Sequence, residues 1–195
     1  DGETCEGVAF DFSTLSTPPS VTNSSGVTWT HTGTGSLNNP ALLTPTYTPG
    51  AGETGVVTFT LTASGNGSCG PAVDNMSLTI TPAVAVNAGS DEETCEGTPF
   101  DLSGSTTVPT ASDYNTITWT HNGTGSFDNP NAITPVYTPG AGETGDITLT
   151  LTATGNGSCP DLSDNMTLTV TPDVSGSAGS DEETCEGISL SLIHI

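Results

Sequence analysis

A strict internal repeat limits what this chain can fold into more than any other feature. Cys5, Cys95 and Cys185 lie 90 residues apart, and the same interval separates Cys69 from Cys159, Trp29 from Trp119, His31 from His121, Tyr47 from Tyr137 and Met76 from Met166. Residues 1–90 laid on 91–180 without a gap are identical at 53 positions. A third copy opens at Asp181 with Asp-Glu-Glu-Thr-Cys-Glu-Gly, the sequence of residues 91–97. Self-similarity at a fixed period means that each copy is one folding unit, and about 90 residues can bury a core of their own. The expected units are residues 1–83, residues 84–173 and a truncated third start, 174–195. Within the last, residues 190–195 (Leu-Ser-Leu-Ile-His-Ile) match one reading frame of a transposon end used in sequencing libraries. They are read as partly or wholly an artefact, and His194 carries no functional weight.

Charge removes several function classes. The chain has 22 Asp and Glu but no Lys or Arg, a formal charge of −22. Without cationic side chains it cannot neutralise phosphates, so nucleic acid is excluded as a partner. It also lacks the basic patch that anionic membrane surfaces attract, and no apolar run approaches the roughly 20 residues of a membrane span. Disorder does not follow from the acidity. Only 11% of residues are charged while 32% are hydrophobic, and the 37 threonines favour strands.

Alternation places the strands. In the second copy, Thr94 to Ser103 supplies one or two short strands with Phe100 and Leu102 inward. Residues 116–121 put Ile117, Trp119 and His121 on one face and threonines on the other, and Ser126–Phe127 and Ile133–Thr138 follow. Residues 146–154 alternate Ile, Leu, Leu and Ala with Thr, and Asn165–Thr171 turns Met166, Leu168 and Val170 inward. About seven strands around a central Trp predict an all-β, immunoglobulin-like sandwich for each unit, joined head to tail through Thr-Pro-x-Val linkers; a barrel is the alternative. The expected core is Trp29, Trp119, Tyr47, Tyr137, Phe10 and Phe100, with Leu61, Leu78 and their counterparts.

Several segments together resemble a known family: Ala-Gly-Ser-Asp-Glu-Glu-Thr-Cys-Glu-Gly, Thr-Trp-Thr, Gly-Thr-Gly-Ser-Phe, Thr-Pro-Val-Tyr-Thr-Pro, Leu-Thr-Leu-Thr-Ala-Thr-Gly-Asn-Gly-Ser-Cys and Asn-Met-Thr-Leu-Thr-Val. They are similar to the PKD-like, immunoglobulin-like tandem repeats of very large secreted Bacteroidota surface proteins, which resemble gliding adhesins and are often exported by the type IX system. The resemblance spans the whole repeat. It implies an extracellular stalk or adhesin array and carries no catalytic residue; secretion itself is expected from the cysteines and the composition, with the signal lying outside this fragment.

The cysteines carry the most interpretable chemistry. Each copy has one before its first strand and one in the loop before its last strand. If strands alternate up and down, both places fall at one end of the sandwich, which predicts disulfides Cys5–Cys69 and Cys95–Cys159, with Cys185 unpaired in the fragment. Each would close about 65 residues and contribute roughly 4 kcal/mol. A zinc or redox site would need CxxC-type spacing or a nearby His, and neither is present.

Recurrent acidic residues suggest a calcium site at each junction. Glu53 is expected beside Asp91, Glu92 and Glu93, and Glu143 beside Asp181, Glu182 and Glu183, giving oxygen-rich clusters suited to a hard cation. The opposing reading is a set of solvated charges that keep a fibre soluble. One His per unit gives no catalytic constellation; His31 and His121 read as half-buried, hydrogen-bonded residues at the sandwich edge. The expected function is therefore non-catalytic: spacer repeats of an extracellular cell-surface adhesin. Its partners are neighbouring repeats of the same chain, with surface polysaccharide or other cells as targets.

Two alternatives are weighed. A carbohydrate-binding array needs exposed aromatics, but the Trp of each unit lies on an inward face and Tyr114 is the one obvious loop aromatic. An ice-binding surface would use the ranks Thr58, Thr60, Thr62 and Thr148, Thr150, Thr152, yet twisted sandwich sheets and short ranks make a poor lattice match. The six Asn-x-Ser/Thr triplets would be glycan sites only in a eukaryotic secretory pathway.

Overall fold

The alternation of apolar residues with threonine builds one long hairpin in each unit, and the rest of the sandwich assembles around it. The computed structural model describes residues 1–177 and Glu186. In the first unit the strands are β1 (Gly2–Cys5), β2 (Phe10–Asp11), β3 (Ser24–His31), β4 (Ser36–Leu37), β5 (Thr46–Thr48), β6 (Gly55–Gly65) and β7 (Ala72–Thr81). Between the units runs β8 (Ala85–Asn87). The second unit has β9 (Glu92–Cys95), β10 (Phe100–Asp101), β11 (Thr110–Ser112), β12 (Tyr114–His121), β13 (Ser126–Phe127), β14 (Val136–Thr138), β15 (Gly145–Gly155) and β16 (Leu162–Thr171).

Each unit is an all-β, immunoglobulin-like sandwich. In the first, a sheet of order β1-β7-β6-β3 faces a sheet of order β2-β5-β4; in the second, β9-β16-β15-β12 faces β10-β14-β13. Neighbours within these sheets pair antiparallel with one exception per unit: β1 runs parallel to the end of β7, and β9 parallel to the end of β16. Along β15, Ile147, Leu149, Leu151 and Ala153 are buried, while the threonines between them are half-buried on the outer face. Thr150 on β15 donates across the sheet to Asn165 Oδ1 (2.6 Å), as Thr60 on β6 does to Asn75 Oδ1 (2.7 Å).

The core lies between the two sheets. Trp29, Tyr47, Phe59, Leu61, Leu78 and Ile80 form it in the first unit, and Trp119, Tyr137, Leu149, Leu151, Met166 and Leu168 in the second. Burying one such side chain fully stabilises the fold by about 1.5–3 kcal/mol. One core expectation is corrected. Phe10 and Phe100 are only half-buried, and the fully buried residues are Phe12 and Leu102, two positions later. The strand alternation stops after two residues, because Asp11 caps a 3-10 turn by accepting from the Ser13 N–H at 2.8 Å. That turn swings Phe12 inward, edge-on to Trp29 and to Phe59 at centroid distances of 5.2 and 5.0 Å. Asp101 and Ser103 repeat the cap.

Candidate functional site

The parallel edge strand decides where the cysteines go. Because β1 pairs in parallel with β7 at register Cys5–Thr81, Cys5 sits where the last strand of its unit ends. Cys69 lies in the loop before Ala72, where that strand begins. Nine residue steps of about 3.3 Å put the two cysteines roughly 30 Å apart, whereas a disulfide needs Cα atoms about 4.4–6.8 Å apart. The same register, Thr171–Cys95, separates Cys95 from Cys159. The expected pairs Cys5–Cys69 and Cys95–Cys159 are therefore wrong. The disulfide joins Cys5 of the first unit to Cys159 of the second, with Cα atoms 4.8 Å apart and a sequence separation of 154. Cys69 and Cys95 are free and exposed, and Cys185 lies outside the described residues.

Around this staple the tail of one unit meets the head of the next. The Cys159 sulfur lies 3.5 Å from the Thr81 carbonyl oxygen and 3.2 Å from that of Pro82. Glu3 Oε1 accepts from the Thr81 hydroxyl (3.2 Å) and, across the junction, from the Ser158 N–H (3.3 Å). Glu6 accepts from the Ala83 N–H at 3.3 Å, holding the first residues of the linker. Gly157 has φ +55°, and a Cβ there would overlap the Glu3 carboxylate. Its left-handed backbone and close approach both call for glycine. The linker then docks on the second unit. Strand β8 pairs antiparallel with β11, Ala88 is fully buried, and its N–H donates to Asp164 Oδ2 at 2.8 Å.

The proposed calcium ligands do not come together. Glu53 is 9% exposed and committed within its own unit: Oε1 accepts from the Thr34 N–H (2.6 Å), and Oε2 from the Tyr47 hydroxyl and the Gly50 N–H (both 2.8 Å). Glu143 repeats this clip with Thr124, Tyr137 and Gly140. Asp91 accepts from the Thr167 N–H, and Glu92 from the Ser90 hydroxyl and the Thr106 N–H. Among the described residues no three Asp, Glu, His or Cys side chains converge on a metal position. Asp181, Glu182 and Glu183 lie outside the described residues. In a chain without Lys or Arg, backbone N–H groups and hydroxyls are the donors at hand, and these carboxylates turn to them.

Sequence reasoning missed the clip. Its signal was Tyr-Thr-Pro-Gly-Ala-Gly-Glu, identical in both copies, and the nearby Gly-Thr-Gly. A Cβ on Gly33 or Gly35 would collide with Glu53 or Tyr47, so those glycines admit the carboxylate and the phenol. Burial pulls the Glu53 pKa up, but the donors at Gly50, Tyr47, Thr34 and Gly35 outweigh it and hold the carboxyl below its ordinary value. Burial, together with the bond to Glu53, pushes Tyr47 up to about 12.

The sign of the pH dependence follows. A lowered folded pKa gives stability that is full above the ordinary carboxylate value and lost as pH falls through the folded one. The raised Tyr47 value gives stability that is full below about pH 10 and lost as pH rises towards 12. Acid also relieves repulsion within the −22 charge, so a variant must separate the two effects. Glu53→Gln with Glu143→Gln turns an amide donor towards donors and should cost about 1–3 kcal/mol per unit at pH 7. The gap from the parent in urea midpoint should narrow by pH 3. A gap constant from pH 7 to pH 3 would show that the ionised clip does not hold the loop.

His31 and His121 are half-buried as expected. Their Nδ1 atoms are buried without a partner, and the rings pack edge-on against Tyr47 and Tyr137 at 5.0 and 5.1 Å. Trp29 and Trp119 are 4% and 2% exposed and offer no stacking face, while Tyr114 is exposed. Among the described residues no helix is long and apolar enough to cross a membrane.

The sequence matches no protein-family profile and no curated protein. Solved structures with similar folds include a three-domain immunoglobulin fragment of titin, I67–I69, in an E-to-A variant (12% identity, TM-score 0.44, 88% of this chain). Others are the insect immune protein hemolin (13%, 0.43, 89% of this chain) and human CDH23 EC21-23 (16%, 0.41, 86% of this chain). The chain spans 62% of the titin fragment, 44% of hemolin and 59% of the CDH23 fragment.

Proposed function

We propose that this chain is a non-catalytic spacer, part of an extracellular stalk that holds an adhesive element away from a cell surface and carries tension along its length. The observation that supports this reading best is the Cys5–Cys159 staple, which couples the tail of one unit to the head of the next. A disulfide of this kind belongs to an oxidising compartment. The absence of Lys and Arg leaves trypsin-like proteases no cleavage site, an advantage for an exposed fibre. Surface polysaccharide or other cells are the targets that such a stalk would serve.

An end-to-end arrangement sets the expected size. The eleven residues of β15 rise about 3.3 Å each, so two units in line with their loops span roughly 75 Å, and a rod of that length has a radius of gyration of roughly 22 Å. A compact globule of 195 residues would give roughly 16 Å. Small-angle scattering of the oxidised chain should give the larger value; the smaller one would overturn the spacer reading.

A further inference from the structure

Three Asn-Gly pairs lie in loops: Asn66-Gly67, Asn122-Gly123 and Asn156-Gly157. Such a pair can close on itself, because glycine puts no Cβ in the way when its backbone nitrogen attacks the preceding side-chain amide. The three differ in what their amides hold. Asn156 Nδ2 donates to the Asp113 carbonyl oxygen at 3.0 Å, and Asn66 Nδ2 to that of Asn23 at 2.9 Å. Among the described residues, Asp113 and Asn23 are the two that are not glycine and have a left-handed backbone, φ +57° and +56°, a conformation that Asn and Asp adopt more readily than most residues. Asn122 uses the other end of its amide: its Oδ1 accepts from the Thr148 N–H at 2.9 Å.

Asn156 stands between the two contacts that hold the units together. On one side, Cys159 is stapled to Cys5 and donates its N–H back to the Asn156 carbonyl at 3.0 Å, while the Ser158 N–H donates to Glu3. On the other side, Asp113 is the turn that joins β11, the seat of the linker strand β8, to β12. The Asn156 amide therefore ties the stapled loop to the linker's seat. Ionised aspartate has no proton to donate. At position 156 it would set a carboxylate against the Asp113 carbonyl, one residue from the glycine that packs on Glu3. At position 122 aspartate would keep the acceptor that the Thr148 N–H needs.

We propose that Asn156 is a deamidation site that the Cys5–Cys159 staple keeps closed, and that its conversion loosens the linker on the second unit. The Gly157 nitrogen attacks Asn156 Cγ and forms a C–N bond. The Cγ–Nδ2 bond breaks, and the amide nitrogen leaves as ammonia, carrying the proton that Gly157 gives up. Water then opens the cyclic imide at either carbonyl, to aspartate or isoaspartate, with no oxidation or reduction. Ring closure requires the side chain to swing onto the Gly157 nitrogen, which breaks its bond to Asp113, while the Cys159 N–H holds the Asn156 main chain. The stapled loop resists both movements, so its local opening sets the rate. Reducing the staple frees the loop, and a reversible thiol signal becomes a permanent change at the junction.

The test uses the full chain carrying Cys69→Ser, Cys95→Ser and Cys185→Ser, with the staple intact or removed by Cys5→Ser and Cys159→Ser, incubated in mildly alkaline buffer. Peptide mass mapping follows conversion at each asparagine, and isoaspartate-specific methylation identifies the imide route. Loss of the staple should speed conversion at Asn156 about tenfold, while Asn122 changes by less than about twofold. Equal rates at Asn156 in the two chains would overturn the proposal. So would an equal acceleration of Asn122, which marks general unfolding rather than release of one loop. A second arm keeps the staple. Asn156→Asp should speed amide hydrogen exchange at Ala88, whose N–H donates to Asp164, about tenfold, and Asn122→Asp should leave it unchanged. Exchange at Ala88 that ignores Asn156→Asp, or responds equally to both variants, would overturn the link to the linker. Neither arm depends on the chain being a spacer, so that reading stands or falls separately.

Discussion

Replacing Trp119 by Ala should lower the stability of the second unit by about 3–5 kcal/mol. The ring is 2% exposed, lies in the core with Leu149, Leu151 and Tyr137, and packs against Phe127 at a centroid distance of 5.9 Å. Its Nε1 donates to the Ile133 carbonyl at 3.3 Å, and its backbone N–H donates to Pro130 at 2.7 Å. Truncation removes the apolar burial and leaves a cavity between two sheets that cannot close over it; the backbone bond survives. For a unit of this size the thermal midpoint should fall by at least about 12 °C. Trp29 then remains as the single tryptophan and reports the first unit alone, so calorimetry combined with Trp fluorescence resolves the two transitions. An unchanged second transition would mean that β12 and its inward face are misassigned.

Much of this core was legible because a half-buried strand writes its period into the sequence. The ranks Ile147, Leu149, Leu151 and Met166, Leu168, Val170 gave their strands directly, and the Trp residues lie where alternation put them. Alternation put Phe100 and Leu102 on one inward face, but only Leu102 and its counterpart Phe12 are fully buried; Phe100 and Phe10 stay half-buried, because the strand ends after two residues in a capped 3-10 turn. It could not show the direction of β1 either. A four-residue edge strand whose partner lies more than 70 residues away carries no local mark of being parallel.

That one hidden direction moved Cys5 from one end of its unit to the other and reversed the cysteine pairing. Repetition then concealed the error. Identical cysteines at a fixed interval allow pairing within a unit or between neighbours, and spacing alone cannot choose among the three connectivities of four cysteines. Glu53 and Glu143 were misplaced for a different reason. Their loops were expected at the junctions beside the next unit's acidic residues, whereas backbone N–H groups and a phenol of their own unit hold these carboxylates.

Removing the staple should have the largest effect of all, and the clearest view of it is mechanical. The disulfide links positions 154 residues apart. In the chain-entropy account, closing a loop of that length restricts the unfolded chain by about 5 kcal/mol. Under tension the consequence is simpler, because force applied at the two ends passes from Cys5 straight to Cys159. Everything between them, which is nearly all of both sandwiches, is bypassed.

The most direct measurement is therefore single-molecule extension of the chain held by its termini, oxidised and then reduced. At about 3.6 Å per residue, the oxidised chain should release no more than roughly 150 Å, from the residues outside the loop. After reduction, or in a Cys5→Ser, Cys159→Ser variant, unfolding of the two units should add roughly 550 Å. Full release of that length from the oxidised chain would show that the units are not stapled across their junction, and would contradict the account.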